Sequence, residues 1–310
     1  MDYTAPPPET TRPARRSGGR EGSSLWLMYA ILLLFALVIL FSFWIIISVS
    51  LTSTAELRYG FRILPPRFSL EAYQYTFANM KGIWNAYGVS AVYALLGTLL
   101  AVAVMSAFAY ALSRPRFQAR RGLTFYVFFT MLFSGGLTPS YILIKQYLKL
   151  YDTIWVLILP GLVNCWHVMM LRTTMQSLPS SLYDSARIDG ASEYRVFVSV
   201  ALPLSAPALA TVAFMGLLGR WNDWYTPMIY ITKNSLFPIQ YLLQRMLNNI
   251  QEAMNMIEFS PFASSVDVSK LPRENLRMAM MVITIFPMML VFPLFQRFFI
   301  RGITVGSMKG

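Results

Sequence analysis

The chain has 310 residues, 56% of them hydrophobic and only 13% charged, and it carries repeated apolar runs near the ~20 residues that a bilayer requires. An ordinary soluble domain is excluded, and the formal charge of +12 does not imply a nucleic-acid partner, because the basic residues fall between the apolar runs, where membrane topology accounts for them. Cys165 and His167 are the only cysteine and the only histidine, which excludes a disulfide framework and argues against a metal site; both are expected to pack within an apolar span.

Met1–Ser24 is rich in Pro, Thr, Gly and Arg without apolar periodicity, which predicts a disordered cytoplasmic tail ahead of a membrane domain over 25–310. Leu25–Leu51 is the first span, with no small-residue cleavage site. Thr52–Asn85, with Pro65 and Pro66, is an external loop. The second span runs over Ala86–Leu112, where Gly97 and Ala101, then Ala103, Ala107 and Ala111, recur at steps of four that let helices approach closely. Arg114, Arg116, Arg120 and Arg121 make a basic cytoplasmic loop. Gly122–Phe133 is a short third span that ends at Gly135-Gly136 and Pro139. Ser140–Tyr151 reads as an amphipathic outer segment with Ile142, Leu143, Gln146, Tyr147 and Leu150 on one face and Lys145 and Lys149 on another. Thr153–Leu171 is the fourth span, Ala206–Ile231 the fifth and Met278–Phe299 the sixth, with an external segment over Lys233–Arg277. The basic residues of the tail, of the loop at Arg114–Arg121 and of the C-terminal end place both termini inside.

Between the fourth and fifth spans lies a polar exception, Leu178–Pro207. Pro179 presets a helix start, Ser181 with Asp184 forms a capping-box pattern, and Gly190 supplies left-handed backbone for a helix end, which predicts a helix over Leu182–Asp189. Ser192 reads as the cap of a second helix with Val196, Phe197, Val200 and Ala201 on one side, until Pro203 and Pro207 break or kink it.

Asp184-Ser185-Ala186, Gly190 and Val200-Ala201-Leu202-Pro203 resemble the signature loop E-A-A-x3-G-x9-I-x-L-P of bacterial ATP-binding-cassette importer permeases, with Asp for Glu, Ser for Ala and Val for Ile. Ala109–Arg114 again looks like these permeases, Ala186–Ala191 and the C-terminal Gly302–Gly310 are similar to their carbohydrate branch, and Gly135–Pro139 to its oligosaccharide and polysaccharide importers, acidic ones among them. The resemblance implies an all-α, polytopic permease of the type I kind with six transmembrane helices in the bacterial inner membrane. Over the loop 178–203, a short coupling helix would dock on an ATPase through Asp184, Ala186, Arg187, Asp189 and Gly190. Implied partners are an ATPase dimer, a second permease subunit, an extracytoplasmic solute-binding protein, a carbohydrate substrate and membrane lipid. This chain would carry no cofactor, ATP and Mg being held by the ATPase.

The fifth span holds Arg220, Trp221, Asn222, Asp223, Trp224 and Tyr225, with the charges beyond the middle of a ~30 Å hydrocarbon core. Two readings stay open: a substrate path with aromatic faces for sugar rings, or an Arg220–Asp223 ion pair within an interfacial aromatic belt. No phosphate-binding loop and no catalytic constellation is present, so the chain is not an enzyme. The alternative function is a stand-alone secondary transporter with Asp223 as its ion site.

Overall fold

The computed structural model describes residues 20–57, 63–65, 67–79, 82–258 and 274–307, and within these no strand forms. Most of the expected tail, the prolines Pro261 and Pro272 and the last three residues lie outside the described residues. The tail's last residues are already helical, since α1 runs over Arg20–Ser50. Then follow α2 (Thr54–Leu57), α3 (Glu71–Asn79), α4 (Ile83–Ser113), α5 (Arg120–Leu132), α6 (Leu137–Ile142), α7 (Ile154–Ile158), α8 (Cys165–Ser177) and α9 (Ser180–Ile188). The remaining helices are α10 (Glu193–Val196), α11 (Leu202–Leu204), α12 (Ala206–Trp221), α13 (Tyr225–Tyr230), α14 (Ile239–Glu258) and α15 (Glu274–Ser307).

Three of the expected spans are unbroken helices long and apolar enough to cross a membrane: α1, α4 and α15. The third and fifth are bent. From α5 the chain turns by 114° into α6 and a π-helical turn, Leu143–Tyr147, and from Glu193–Leu204 it turns by 79° into α12. The fourth expected span is α7 and α8, separated by 159–164, where Pro160-Gly161 stops the helix. Such breaks are tolerated at membrane depth where protein or a water-filled cavity meets the freed backbone groups.

α4 is the centre of the bundle. Ala86, Ser90, Tyr93, Gly97, Ala101, Met105 and Ala109 are buried at steps of three and four, one helical face that packs on α8 and α12. Of the small residues expected to pack, Gly97 and Ala101 do so, whereas Ala103 and Ala107 are exposed. In the segment after Pro139 the buried residue is Ile144, while Leu143 and Tyr147 are exposed, so the expected apolar face is not the one that packs. Lys145 instead receives the neighbouring tyrosines, with Nζ 2.9 Å from the Tyr141 hydroxyl and over the rings of Tyr141 and Tyr151.

α1 is peripheral. Its residues from Leu25 to Trp44 are almost all exposed, and it leans on α15, as a lipid-facing helix would. At its end, Asn275 Nδ2 donates to the Thr52 carbonyl and to Thr54 Oγ1, which fixes the start of α15. The amphipathic α14 lies across α4 and α15, with Ile239 and Leu243 buried and Asn248 and Gln251 outside.

Candidate functional site

The hairpin expected to couple to an ATPase begins one residue after Pro179. α9 starts at Ser180, two residues before the expected Leu182, and no side chain caps it, so the Ser181–Asp184 capping box does not form. Its other end is as the sequence suggests. Gly190 has φ +80°, and the N–H groups of Gly190 and Ala191 donate to the carbonyls of Arg187 and Ala186, a closure that needs left-handed backbone at the glycine. Ser192 then caps α10, its side chain accepting from the Arg195 N–H.

What holds this hairpin was not legible as a motif. Arg114, expected in a basic loop and at the end of the family-like segment Ala109–Arg114 but with no role assigned, is buried; its guanidinium lies 3.6 Å from the Tyr183 ring and 4.9 Å from the Tyr110 ring. Arg114 Nη2 and the Tyr183 hydroxyl both donate to the Met175 carbonyl, at 3.1 and 3.2 Å. A second chain of contacts runs from the Tyr110 hydroxyl to Glu193, from Glu193 to Arg187, and from Arg187 to Asp184, at 2.8, 2.9 and 3.1 Å. Hydrogen bonds to Glu193 and Asp184 raise the already high pKa of Arg187 despite its burial.

The five residues expected to dock therefore divide. Asp184, Asp189 and Gly190 are exposed, Ala186 packs inward, and Arg187 is turned toward Glu193. The sequence reading passed over the outermost apolar residues, Ile188 at 86% exposure and Tyr194 at 76%. Their signal was an isoleucine and a tyrosine off the apolar face of an otherwise polar hairpin.

The second site is a cavity of about 340 Å³ between α4, α8 and α12, lined among others by Tyr93, Asn164, His167, Arg220, Asp223 and Thr226. It splits the fifth-span constellation. The helix ends at Trp221, and the next turn is opened by Asp223, whose Oδ1 accepts from the N–H groups of Tyr225 and Thr226 while Oδ2 accepts from the Tyr93 hydroxyl at 2.8 Å. Arg220 and Asp223 form no ion pair. Instead Arg220 donates from Nη1 to the Gly216 carbonyl at 3.2 Å and from Nη2 to the Gly161 carbonyl at 2.7 Å, and so ties α12 to the break between α7 and α8. Its Nε is buried with no partner.

Trp221 does not face this cavity. It is buried against Tyr87 and donates from Nε1 to the Thr284 carbonyl at 3.0 Å. Asn222 lines a different hollow, and Trp224 and Tyr225 are partly exposed. Conversely, His167, expected to pack, and Asn164 line the cavity; the signal was Pro160-Gly161 inside an apolar run, which places unwound backbone beside the next polar residues. Among the described residues no group of His, Cys, Asp and Glu could hold a metal ion.

A polar cavity inside an apolar helical bundle, with a capped hairpin at one end, is the architecture of an all-α membrane transport subunit. Residues 93–305 match the family of binding-protein-dependent transport system inner membrane components, and the chain belongs to that family. It is 36% identical over 285 residues to the Bacillus subtilis polygalacturonan/rhamnogalacturonan transport system permease protein YtcP, covering 92% of this chain and 97% of that one. With Protein LplC of the same organism it shares 35% identity over 266 residues, 86% and 88% of the two chains. The fold is similar, at a TM-score of 0.73 and 27% identity, to a chain in the crystal structure of a bacterial ABC transporter involved in the import of the acidic polysaccharide alginate, covering 93% of this chain and all of that one. These likenesses define an ABC importer permease of the type I fold and lend nothing to an ion-coupled secondary transporter.

Proposed function

We propose that this chain is the permease subunit of a carbohydrate importer that moves oligosaccharides or polysaccharide fragments into the cytoplasm by alternating access. The observation that carries the reading is α8. At its N-terminal end Asn164 and His167 line the polar cavity; at its C-terminal end the Met175 carbonyl is held by Arg114 and by Tyr183 of the docking helix. A helix of 13 residues is about 20 Å of stiff rod, so displacement of the docking helix reaches the cavity with little loss.

In this reading the cavity supplies what a sugar needs: hydroxyl, amide and imidazole groups for its hydroxyls, beside the apolar Met105 and Met215. An ATPase dimer, which binds ATP and Mg, receives the hairpin through Asp184, Ile188, Asp189 and Tyr194. Gly190 shapes the helix end, and Ala186 and Arg187 hold the hairpin together. A second permease subunit closes the path and a solute-binding protein delivers the sugar outside. Both termini are cytoplasmic. Substrate must bind the two permease states with different free energies for the cycle to turn.

The test is co-purification of ATPase with the wild type and with Gly190→Glu, alongside ATP-dependent uptake of an oligogalacturonate and of a neutral oligosaccharide into vesicles. ATPase retained by the wild type and lost or uncoupled in Gly190→Glu is expected. No ATPase on the wild type would overturn the importer reading, and ATP-driven uptake of neither sugar would overturn the carbohydrate.

A further inference from the structure

Apart from the cavity of Arg220 and Asp223 there is a second hollow, of about 240 Å³, where the first turns of α15 meet α14 and the end of α12. Asn222, Gln240, Gln244 and Arg277 bring polar groups to it, over a floor that includes Leu243 and Met280. Four of its side chains keep a polar group without a partner. Gln240 Oε1 is buried with no hydrogen bond, and Arg277 makes no hydrogen bond or ion pair among the described residues, although Glu274 stands one turn away. Asn222 donates its amide nitrogen to the Leu218 carbonyl and Gln244 donates its own to Asn248, which leaves their side-chain oxygens without a hydrogen bond among the described residues.

A buried acceptor without a donor is costly, and the exposed, unpaired Arg277 guanidinium at the rim of the same hollow is free to receive an anion, so one ligand can engage both. That ligand must carry an anionic group for Arg277, hydroxyl donors for the amide oxygens, and an apolar face for Leu243 and Met280. A phosphodiester alone would satisfy the guanidinium and leave Gln240 Oε1 without a donor, and a headgroup that adds hydroxyls is the competing occupant tested below. A sugar ring bearing a carboxylate has all three features, and the hollow has room for one ring and not for a chain.

We propose that this hollow is a subsite for a single uronate residue of the transported saccharide, distinct from the Arg220 cavity. The proposal rests on the reading of the chain as a carbohydrate importer permease. Arg277 pairs with the carboxylate, and Gln240, with Asn222 and Gln244, accepts from the ring hydroxyls.

The experiment uses the assembled permease and ATPase complex in nanodiscs without the solute-binding protein, so that selectivity upstream does not enter. Saturation-transfer NMR compares trigalacturonate with its fully methyl-esterified form. The wild type is expected to favour the acid, Arg277→Gln to lose at least fivefold of the binding to the acid with little change for the ester, and Arg277→Lys to keep the preference. Gln240→Glu, which sets a like charge against the carboxylate, is expected to act in the same direction and serves if Arg277→Gln does not assemble. Equal binding of acid and ester to the wild type, equal losses for both in Gln240→Glu, or displacement of the acid by an anionic phospholipid would overturn the subsite. ATP-driven uptake of trigalacturonate alongside a failed subsite would leave the importer reading standing; uptake of no saccharide would remove both.

Discussion

A methyl group added at Gly97 would lie 2.8 Å from Arg220 Nε and 2.9 Å from its Cδ, too close for any real Cβ. Gly97 was read as a close approach of two helix backbones; the structure shows a glycine that admits a charged side chain between them. Arg220 is held on its other side by two carbonyls and has little room to yield, so Gly97→Ala is expected to cost about 1–3 kcal/mol as an overpacked core does. Gly88, in the same helix, has nothing within 4 Å of its would-be methyl, and Gly88→Ala is expected to leave stability unchanged or to raise it by up to ~1 kcal/mol through helix propensity. Thermal melting of the two purified variants separates the cases; equal melting temperatures would refute the close fit. The sequence alone offered two four-residue steps of small residues and no means to choose, since what distinguishes Gly97 from Ala103 is a side chain 123 positions further on.

At the scale of elements, the hairpin shows why helix ends were legible and anchors were not. Gly190 and Ser192 act on backbone groups two to five residues away, so their roles follow from local spacing. Arg114 acts on Tyr183 and Met175, more than sixty residues on, and only the packing of α4 on α8 brings them together. Arg114→Lys is expected to keep the charge and lose the stack, because an ammonium cannot lie flat on Tyr183 while donating to the Met175 carbonyl. Within the proposed importer, ATP turnover would then persist while sugar imported per ATP falls severalfold; an unchanged ratio would show that the clamp does not transmit motion. Ile188→Asp tests the outer face of the same helix. At 86% exposure it should leave the melting temperature alone and yet release the ATPase, read by co-purification.

The turn at 148–153 makes an element-scale prediction about pH. Lys149 and Asp152 have φ of 51° and 61°, and Asp152 accepts from the N–H groups of Thr232 and Lys233 at 2.9 Å each, joining the turn to the segment after α13. Burial pushes the Asp152 carboxyl up, but these N–H donors, the Thr232 hydroxyl and the Lys233 charge together hold it below its ordinary value. A depressed carboxylate stabilises the fold fully above its unfolded pKa, and the contribution is lost as pH falls through the folded value. Hydrogen exchange should therefore find the Thr232 and Lys233 amides protected near neutral pH, with protection falling away only below the usual carboxylate range near ~3.9. In Asp152→Asn, where the amide oxygen still accepts, the acid loss should disappear; a loss of the same size would assign the pH dependence to another group.

For the whole molecule, the long apolar runs made α1, α4 and α15 readable from hydropathy, because a single continuous helix satisfies its own backbone in lipid. The middle of the chain was not readable in that way. Its expected spans are interrupted at 159–164 and after Trp221, and the polar groups exposed by those interruptions face each other across α4 to make the cavity. An apolar run with Pro160-Gly161 inside it averages to a span, and Asn222-Asp223 reads as two polar residues on a helix until Asp223 is seen to cap a new one. The bundle is thus two broken helices latched to each other and to α4, by Arg220 on the Gly161 carbonyl and by Tyr93 on Asp223. Removing the first latch should sever the cavity from its moving wall while leaving the Arg114 clamp intact. Arg220→Met is therefore expected to retain the ATPase and to lower ATP-driven uptake at least tenfold, whereas Tyr93→Phe, which gives up one hydrogen bond worth about 1 kcal/mol, should lower it only modestly. Asp223→Asn keeps an oxygen for the N–H groups of Tyr225 and Thr226, so uptake should survive it. Loss of all uptake in Asp223→Asn with Arg220→Met unaffected would mean that the carboxylate is the working group and the guanidinium latch is not.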